Sequence, residues 1–228
     1  MTTERLLLEG HSHHLMRKSP ARQLVFHDAA DYAHCIAEIR DRSAEYGIRV
    51  HAWCLLPDRM HLLATPAGNP ANLSIFMKVL THQATLRWKS RHDLPCPWEP
   101  RYRSSPVEPG PWLMACMCFI EHLPVRFGLV RAPFHYCRSS YRMRLGRTLL
   151  NWLSDPDEYH HLGATQQARI SAYRAHMRAG LDTREIIMIE SALMRGRLTG
   201  SPHFVQEVEE NYDMQGINRG PGRPRKPT

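Results

Sequence analysis

The sequence predicts an α+β fold: an antiparallel sheet with helices packed on it, followed by a helical C-terminal region and a basic tail. Three observations lead there. "IRVHAWCLL" and "MHLLAT" are apolar strand-like runs separated only by the turn Pro57 to Arg59, which makes them an antiparallel hairpin. Helical periodicity flanks that hairpin on both sides, over residues 28–47 and from about 69 to 91. From Leu145 onward helical patterns dominate and no strand pattern competes with them.

The elements follow in order. "HSHHLMRK", residues 11–18, reads as a first strand. Asp28 then suits a helix N-cap; Tyr32, Ile36 and Ile39 lie on one stripe, and Gly47 ends the run. The hairpin comes next, with Arg59 and His61 two residues apart and therefore on one face of their strand. Asn69 or Asn72 caps a second helix to about Arg91, and a third runs from about Trp112 to His122 after Pro111. Thr183 with Ile186 to Leu193 predicts a helix, Gly200-Ser201-Pro202 a turn, and His203 to Tyr212 another helix. That pair reads either as a small helix-turn-helix or as two helices packed on the main domain, and its last helix carries Glu207, Glu209, Glu210 and Asp213, which a DNA groove would repel.

Composition narrows the class. With 228 residues the chain can form one sizeable core plus an appended module. No apolar run approaches the roughly 18–20 residues that span a bilayer, and the N-terminus has an acid where a signal peptide is basic. The expected setting is the cytoplasm, with no membrane partner. The six cysteines form no CxxC pair and read as reduced packing residues. Thirty Lys+Arg against 22 Asp+Glu give a formal net charge of +8, which suits a polyanionic partner.

Four ordered stretches, "RVHAWCLLPDRMHLLATP", "WEPRYRSSPVE", "FIEHLPVRFGLV" and "GRPRK", resemble the REP-associated tyrosine transposases of bacteria. The resemblance extends through "QLVFHDAADY", "SSYRMRLG" and "GRLTGSPHF" and so covers most of the chain. It implies an HUH single-strand nuclease with a ferredoxin-like catalytic domain over residues 1–131, then a helical region over 132–213 and an AT-hook-like tail over 214–228. In that family the hairpin reads close to MPNHVHLL, with two histidines holding Mg²⁺ or Mn²⁺, and the later helix close to YIxxNPVRAGLV, whose Tyr attacks the phosphate and whose Asn completes the metal shell.

Carried over residue by residue, the first histidine is Arg59 and the second survives as His61; the tyrosine is Phe119 and the asparagine Leu123. Phe119 has no hydroxyl for a covalent intermediate, Leu123 has no lone pair, and Arg59 is a permanent cation that cannot ligate. The reading is a chain that kept the fold and lost the reaction, with no cofactor and His61 as a remnant ligand. Arg59 could then serve as a bidentate phosphate partner. Two other classes stay open. One is an active Mg²⁺- or Mn²⁺-dependent nuclease whose nucleophile is Tyr102, Tyr136 or Tyr141, with His14 and His51 as imidazoles that could approach His61. The other is a partner-binding regulator of an active relative.

The expected ligand is hairpin-forming or single-stranded DNA, and a homodimer is compatible with it. "RWKSRHDLPCPWEPRYRSS" interleaves Trp88, Trp98 and Tyr102 with Arg87, Lys89, Arg91, Arg101 and Arg103, cations for phosphates and aromatic faces for unstacked bases. Arg126 joins them from the later motif. In the tail, Gly222-Arg223-Pro224 would slide Arg223 into an A·T-rich minor groove, with Arg225 and Lys226 following it.

Overall fold

The computed structural model describes residues 6–91, 98–148 and 151–212. The tail cations Arg223, Arg225 and Lys226 lie outside the described residues. Strand β1 (Ser12–Lys18) leads to helix α1 (Ala29–Glu45), the hairpin β2 (Ile48–Leu56) and β3 (Arg59–Pro66), helix α2 (Ala71–Arg91), strand β4 (Arg103–Val107) and helix α3 (Pro111–Arg126). The sheet order is β2-β3-β1-β4 and every neighbouring pair is antiparallel, the βαββαβ arrangement of ferredoxin-like folds.

Local chemistry sets the boundaries. The Asp28 carboxylate accepts from the Asp31 backbone N–H at 3.0 Å and starts α1; Gly47, at φ +63°, lets the chain turn directly into β2. Asn69 is the side chain that accepts from Ala71 N–H at the start of α2. α3 extends beyond the predicted end at His122 because Pro124 is accommodated within it. β4 has no counterpart in the sequence reading. Pro106 within it cannot donate to a ladder, and the strand stands at the sheet edge, where that costs least.

Strand alternation divides the core between two faces. Leu15, Trp53, Leu55, Met60 and Leu62 pack under α1 and α2. On the other face, Ala52, Cys54 and Leu63 pack under α3. That second core continues past residue 131 through Tyr136, Tyr141, Tyr159, Tyr173, Met177 and Ile189. These belong to the connection after α3, to the short helices α4 (Tyr141–Arg144) and α5 (Asp157–His160), and to α6 (Gln166–Ala179) and α7 (Thr183–Arg195). Helix α8 (Pro202–Asn211) buries Phe204 and Val208 against Leu8 and Leu198, so the last two helices pack on the main body.

The C-terminal region also covers both sheet edges. Leu55 N–H donates to Arg138 C=O and Ser140 N–H to Trp53 C=O along β2, while Thr199 N–H donates to Pro106 C=O along β4. Edges left bare would template pairing with another chain.

One buried ionic cluster fixes this covering. Glu121 of α3 and Arg144 of α4 are both fully buried, with Arg144 Nε 3.7 Å from Glu121 Oε1. Ser140 and Tyr173 hydroxyls donate to the two Glu121 oxygens at 2.6 and 2.8 Å. Arg144 also donates to Asp155 at 2.6 Å and to the His51 carbonyl. Burial pushes the Glu121 carboxyl above its ordinary pKa against the pull of Arg144, Ser140 and Tyr173. Removing one member of such a cluster strands the other charge without water. Arg144→Met is expected to destabilise the fold by about 3–5 kcal/mol in urea unfolding, and adding Glu121→Gln to it is expected to restore part of that loss. Equal or additive losses would show that the two charges do not act as a pair.

Candidate functional site

The residues at the family-motif positions meet where β1, β3 and α3 come together. His14 on β1 and His61 on β3 project from the sheet face that α3 covers, and His14 Nε2 lies 3.0 Å from His61 Nδ1. A hydrogen bond between them needs one of these two nitrogens to carry its ring's proton and the other to be bare, so the tautomers decide which one donates. The Phe119 ring packs edge-on against His14, with centroids 5.7 Å apart. Phe119 and Leu123 are each only 2% exposed, so the helix face that would carry a nucleophile is built into the core.

Arg59 does not reach toward this pair as a free cation. Its Nε and Nη2 donate to the two Asp58 oxygens at 2.9 and 2.6 Å, and its guanidinium lies 4.6 Å from the Phe127 ring centroid. The bidentate capacity offered to a phosphate in the sequence reading is taken by Asp58 instead. The adjacency of Asp58 and Arg59 was the available signal; the Phe127 contact, which comes from the end of α3, had none. Arg126 is placed likewise: it pairs with Glu190 of α7 at 2.6 Å and lies 5.2 Å from the Phe119 centroid.

The imidazoles are electrostatically silent near neutrality. Burial lowers the His14 pKa from 6.5 to about 3 and drives His61 well below 6.5, with the neighbouring imidazole and Arg59 adding to the effect on His61. His13 and His51 are lowered to about 4 by burial. His51 does not approach His61: its ring bonds Ser154 C=O at 2.6 Å and the Thr65 hydroxyl at 2.8 Å.

The donor set does not fit the divalent ion that the family resemblance implies. Mg²⁺ and Mn²⁺ take oxygen-rich shells. Here the two facing imidazole nitrogens are engaged with each other, His14 Nδ1 and His61 Nε2 are buried without partners, and Phe119 supplies an apolar wall. Among the described residues no cluster of three His, Cys, Asp or Glu side chains is disposed to hold a metal. No reaction step is derived through an ion.

The cationic-aromatic stretch divides into two groups. Trp88 and Tyr102 are 8% and 7% exposed, and the Tyr102 hydroxyl bonds that of Ser74 at 2.9 Å. Arg87 pairs with Asp31, Arg91 pairs with both Asp28 and Asp31, and Arg103 donates to Met194 C=O at 2.7 Å. Lys89 and Arg101 stay exposed. Arg101 joins Arg17, Lys78 and His82 around a cleft of about 450 Å³ beside α2, whose lining among the described residues contains no carboxylate. Sequence reasoning missed Arg17 and Lys78 as companions of Arg101, because the three come from β1, α2 and the connection before β4. Of the tyrosines that could replace Phe119, Tyr136 donates to Leu55 C=O at 2.7 Å, while Tyr141 lines a second cleft. Burial raises the Tyr141 pKa, which works against a phenolate there.

No protein-family model matches the chain, and no curated protein matches it significantly. The structure of a REP-associated tyrosine transposase bound to a REP hairpin is similar, with a TM-score of 0.57, 18% identity, and coverage of 69% of this chain and 93% of that one. The likeness shows the shared fold. A candidate transposase of Deinococcus radiodurans R1 aligns at a TM-score of 0.36 and 20% identity, covering 57% of this chain and 94% of that one, a score too low to carry argument.

The buried imidazoles set an expected acid limit. A histidine held below its unfolded pKa contributes stability that is fully present above about pH 6.5 and lost as pH falls through that value, because the unfolded chain takes up protons the folded one cannot. For His13, His14 and His51 the loss is on the order of 1 kcal/mol each near pH 5.5, and His61 adds to it in the same direction. Thermal unfolding is expected at markedly lower temperature at pH 5.5 than at pH 7.5, with His14→Gln/His61→Asn flattening the dependence. A melting temperature constant over that range would refute the assignment.

Proposed function

We propose that this chain is a transposase-derived DNA-binding protein that recognises hairpin-forming or single-stranded DNA and does not cleave it by a tyrosine mechanism. The observation that carries the reading is the carboxylate-free cleft of Arg17, Lys78 and Arg101 on a fold shared with a hairpin-bound transposase. An excess of eight positive charges supplies the long-range attraction that phosphates need.

The absence of chemistry is proposed on separate grounds. Phe119 offers no nucleophilic oxygen, Leu123 no ligand, and Arg59 is neutralised by Asp58. What would be a reaction centre is packed as core, with one ring nitrogen of His14 turned on one of His61 and the other two sealed from solvent. The exposed cations Lys78, Lys89 and Arg101, which form no ion pair among the described residues, are assigned to phosphate contact. Arg87 and Arg91 already hold Asp31 and act first on the α1–α2 packing.

Purified protein is expected to retard a labelled hairpin without forming a denaturation-resistant adduct, with or without Mn²⁺. Lys78→Ala/Arg101→Ala is expected to weaken hairpin binding about tenfold or more, and to reduce the slope of log affinity against log salt by about 2. Arg91→Ala is expected to lower thermal stability more than affinity. A metal-dependent adduct would sink the non-cleaving reading and direct attention to Tyr141; undiminished affinity in the double variant would remove the cleft from the DNA site.

A further inference from the structure

The larger of the two clefts lies away from the histidine pair, between the end of α3, the connection around Ala132–Phe134, the Leu145–Arg147 turn and α6. Its volume is about 1070 Å³, at the upper end of the range for ligand sites. The lining combines two chemistries. Val125, Leu145, Ile170 and Met177 make an apolar floor beside Tyr141, and Arg131, Arg147, Arg174 and Arg178 stand around it. Among the described residues no carboxylate lines the cleft.

The four guanidiniums differ from the other arginines near the core. Arg126, Arg144 and Arg59 each have an acidic partner. Among the described residues Arg131, Arg147, Arg174 and Arg178 form no ion pair. Arg174 and Arg178 are one turn apart on α6 and therefore neighbours on one face, a like-charge spacing that disfavours a bare helix. A polyanion between them converts that repulsion into binding. Phe134, 40% exposed, also lines the cleft, and its ring lies 5.5 Å from the Arg142 guanidinium.

We infer that this cleft binds a phosphorylated nucleoside, with its phosphates between Arg174, Arg178, Arg131 and Arg147 and its base against Phe134 and the apolar floor. Planar guanidiniums bind phosphate oxygens bidentately, and an aromatic ring over an apolar floor accepts the face of any base. An inorganic polyphosphate would leave the floor unused, and an apolar ligand would leave four charges unmatched. The nucleoside could be a free nucleotide or a unit of a DNA strand, since both present the same chemistry. The inference is independent of the Lys78–Arg101 cleft.

The test titrates the full chain with adenosine triphosphate, inorganic triphosphate and a short fluorescent oligothymidylate. Phe134→Ala, Arg174→Ala/Arg178→Ala and Lys78→Ala/Arg101→Ala are run beside the unaltered protein. The expected result is that adenosine triphosphate binds more tightly than inorganic triphosphate. Arg174→Ala/Arg178→Ala should weaken that binding about tenfold or more, and Phe134→Ala about fivefold or more. Lys78→Ala/Arg101→Ala should leave it unchanged. If only the oligonucleotide binds with this pattern of losses, the ligand is a strand unit. The inference is overturned if neither probe depends on Arg174 and Arg178, or if inorganic triphosphate binds as tightly as the nucleotide and Phe134→Ala changes nothing. Hairpin retardation by the Arg174→Ala/Arg178→Ala protein reports separately on the DNA-binding reading and on whether that variant is folded.

Discussion

Glu121 and Arg144 are the interaction on which the rest of the structure depends. Two opposite charges at zero exposure are stable only if every lone pair and N–H has somewhere to go, because each ion costs several kcal/mol to remove from water. The fold meets most of that demand with groups from distant segments: Ser140 from the strap on β2, Tyr173 from α6, Asp155 from the connection before α5, and the His51 carbonyl from the sheet. A cluster so satisfied has one geometry, so the helices after residue 131 have one seat on the sheet. The apolar burial around Tyr159 and Tyr173 supplies attraction without direction, and the charges supply the direction.

The seat determines what becomes of the histidine pair. With α3 pinned at Glu121, the residues two before and two after it, Phe119 and Leu123, are both buried in the core that closes over His14 and His61. The imidazoles are thereby dried and lose their charge. A polar side chain at either helix position would have to find partners in that dry space or leave the space wet. Phe119 and Leu123 are thus consistent with each other and with Arg59, which turns to Asp58 and Phe127 and stays out of the pocket. The three side chains act as one structural solution.

Much of the fold was legible because it is written in local pattern. The hairpin, the Asp28 cap, the turn before Pro202 and the helical C-terminal region all follow from spacings of a few residues. β4 was not legible: "RSSPV" has too few apolar residues and a proline, and it is a strand only because β1 offers its edge and Thr199 covers the far side. The site was legible in its identities and not in its pairings. His61 and Phe119 were located by motif, whereas the contact of His61 with His14 joins residues 47 positions apart. Trp88 and Tyr102 looked like base-stacking residues because composition cannot distinguish a ring at the surface from one beneath it.

The distribution of acids decides which cations can meet a polyanion. Net charge treats all 30 Lys and Arg alike, yet Arg87, Arg91, Arg126, Arg59 and Arg144 are each partnered by Asp or Glu in the fold. An arginine already bound to a carboxylate must give up that bond before it can bind a phosphate, and the exchange returns little. Among the described residues, Lys78 and Arg101 beside α2 and the four arginines beside α6 line clefts that hold no carboxylate. A surface described by its total would appear uniformly basic. Described by its pairings, the structure offers phosphate oxygens the Lys78–Arg101 cleft and the arginine cleft, neither of which is lined by His14, His61 or Phe119.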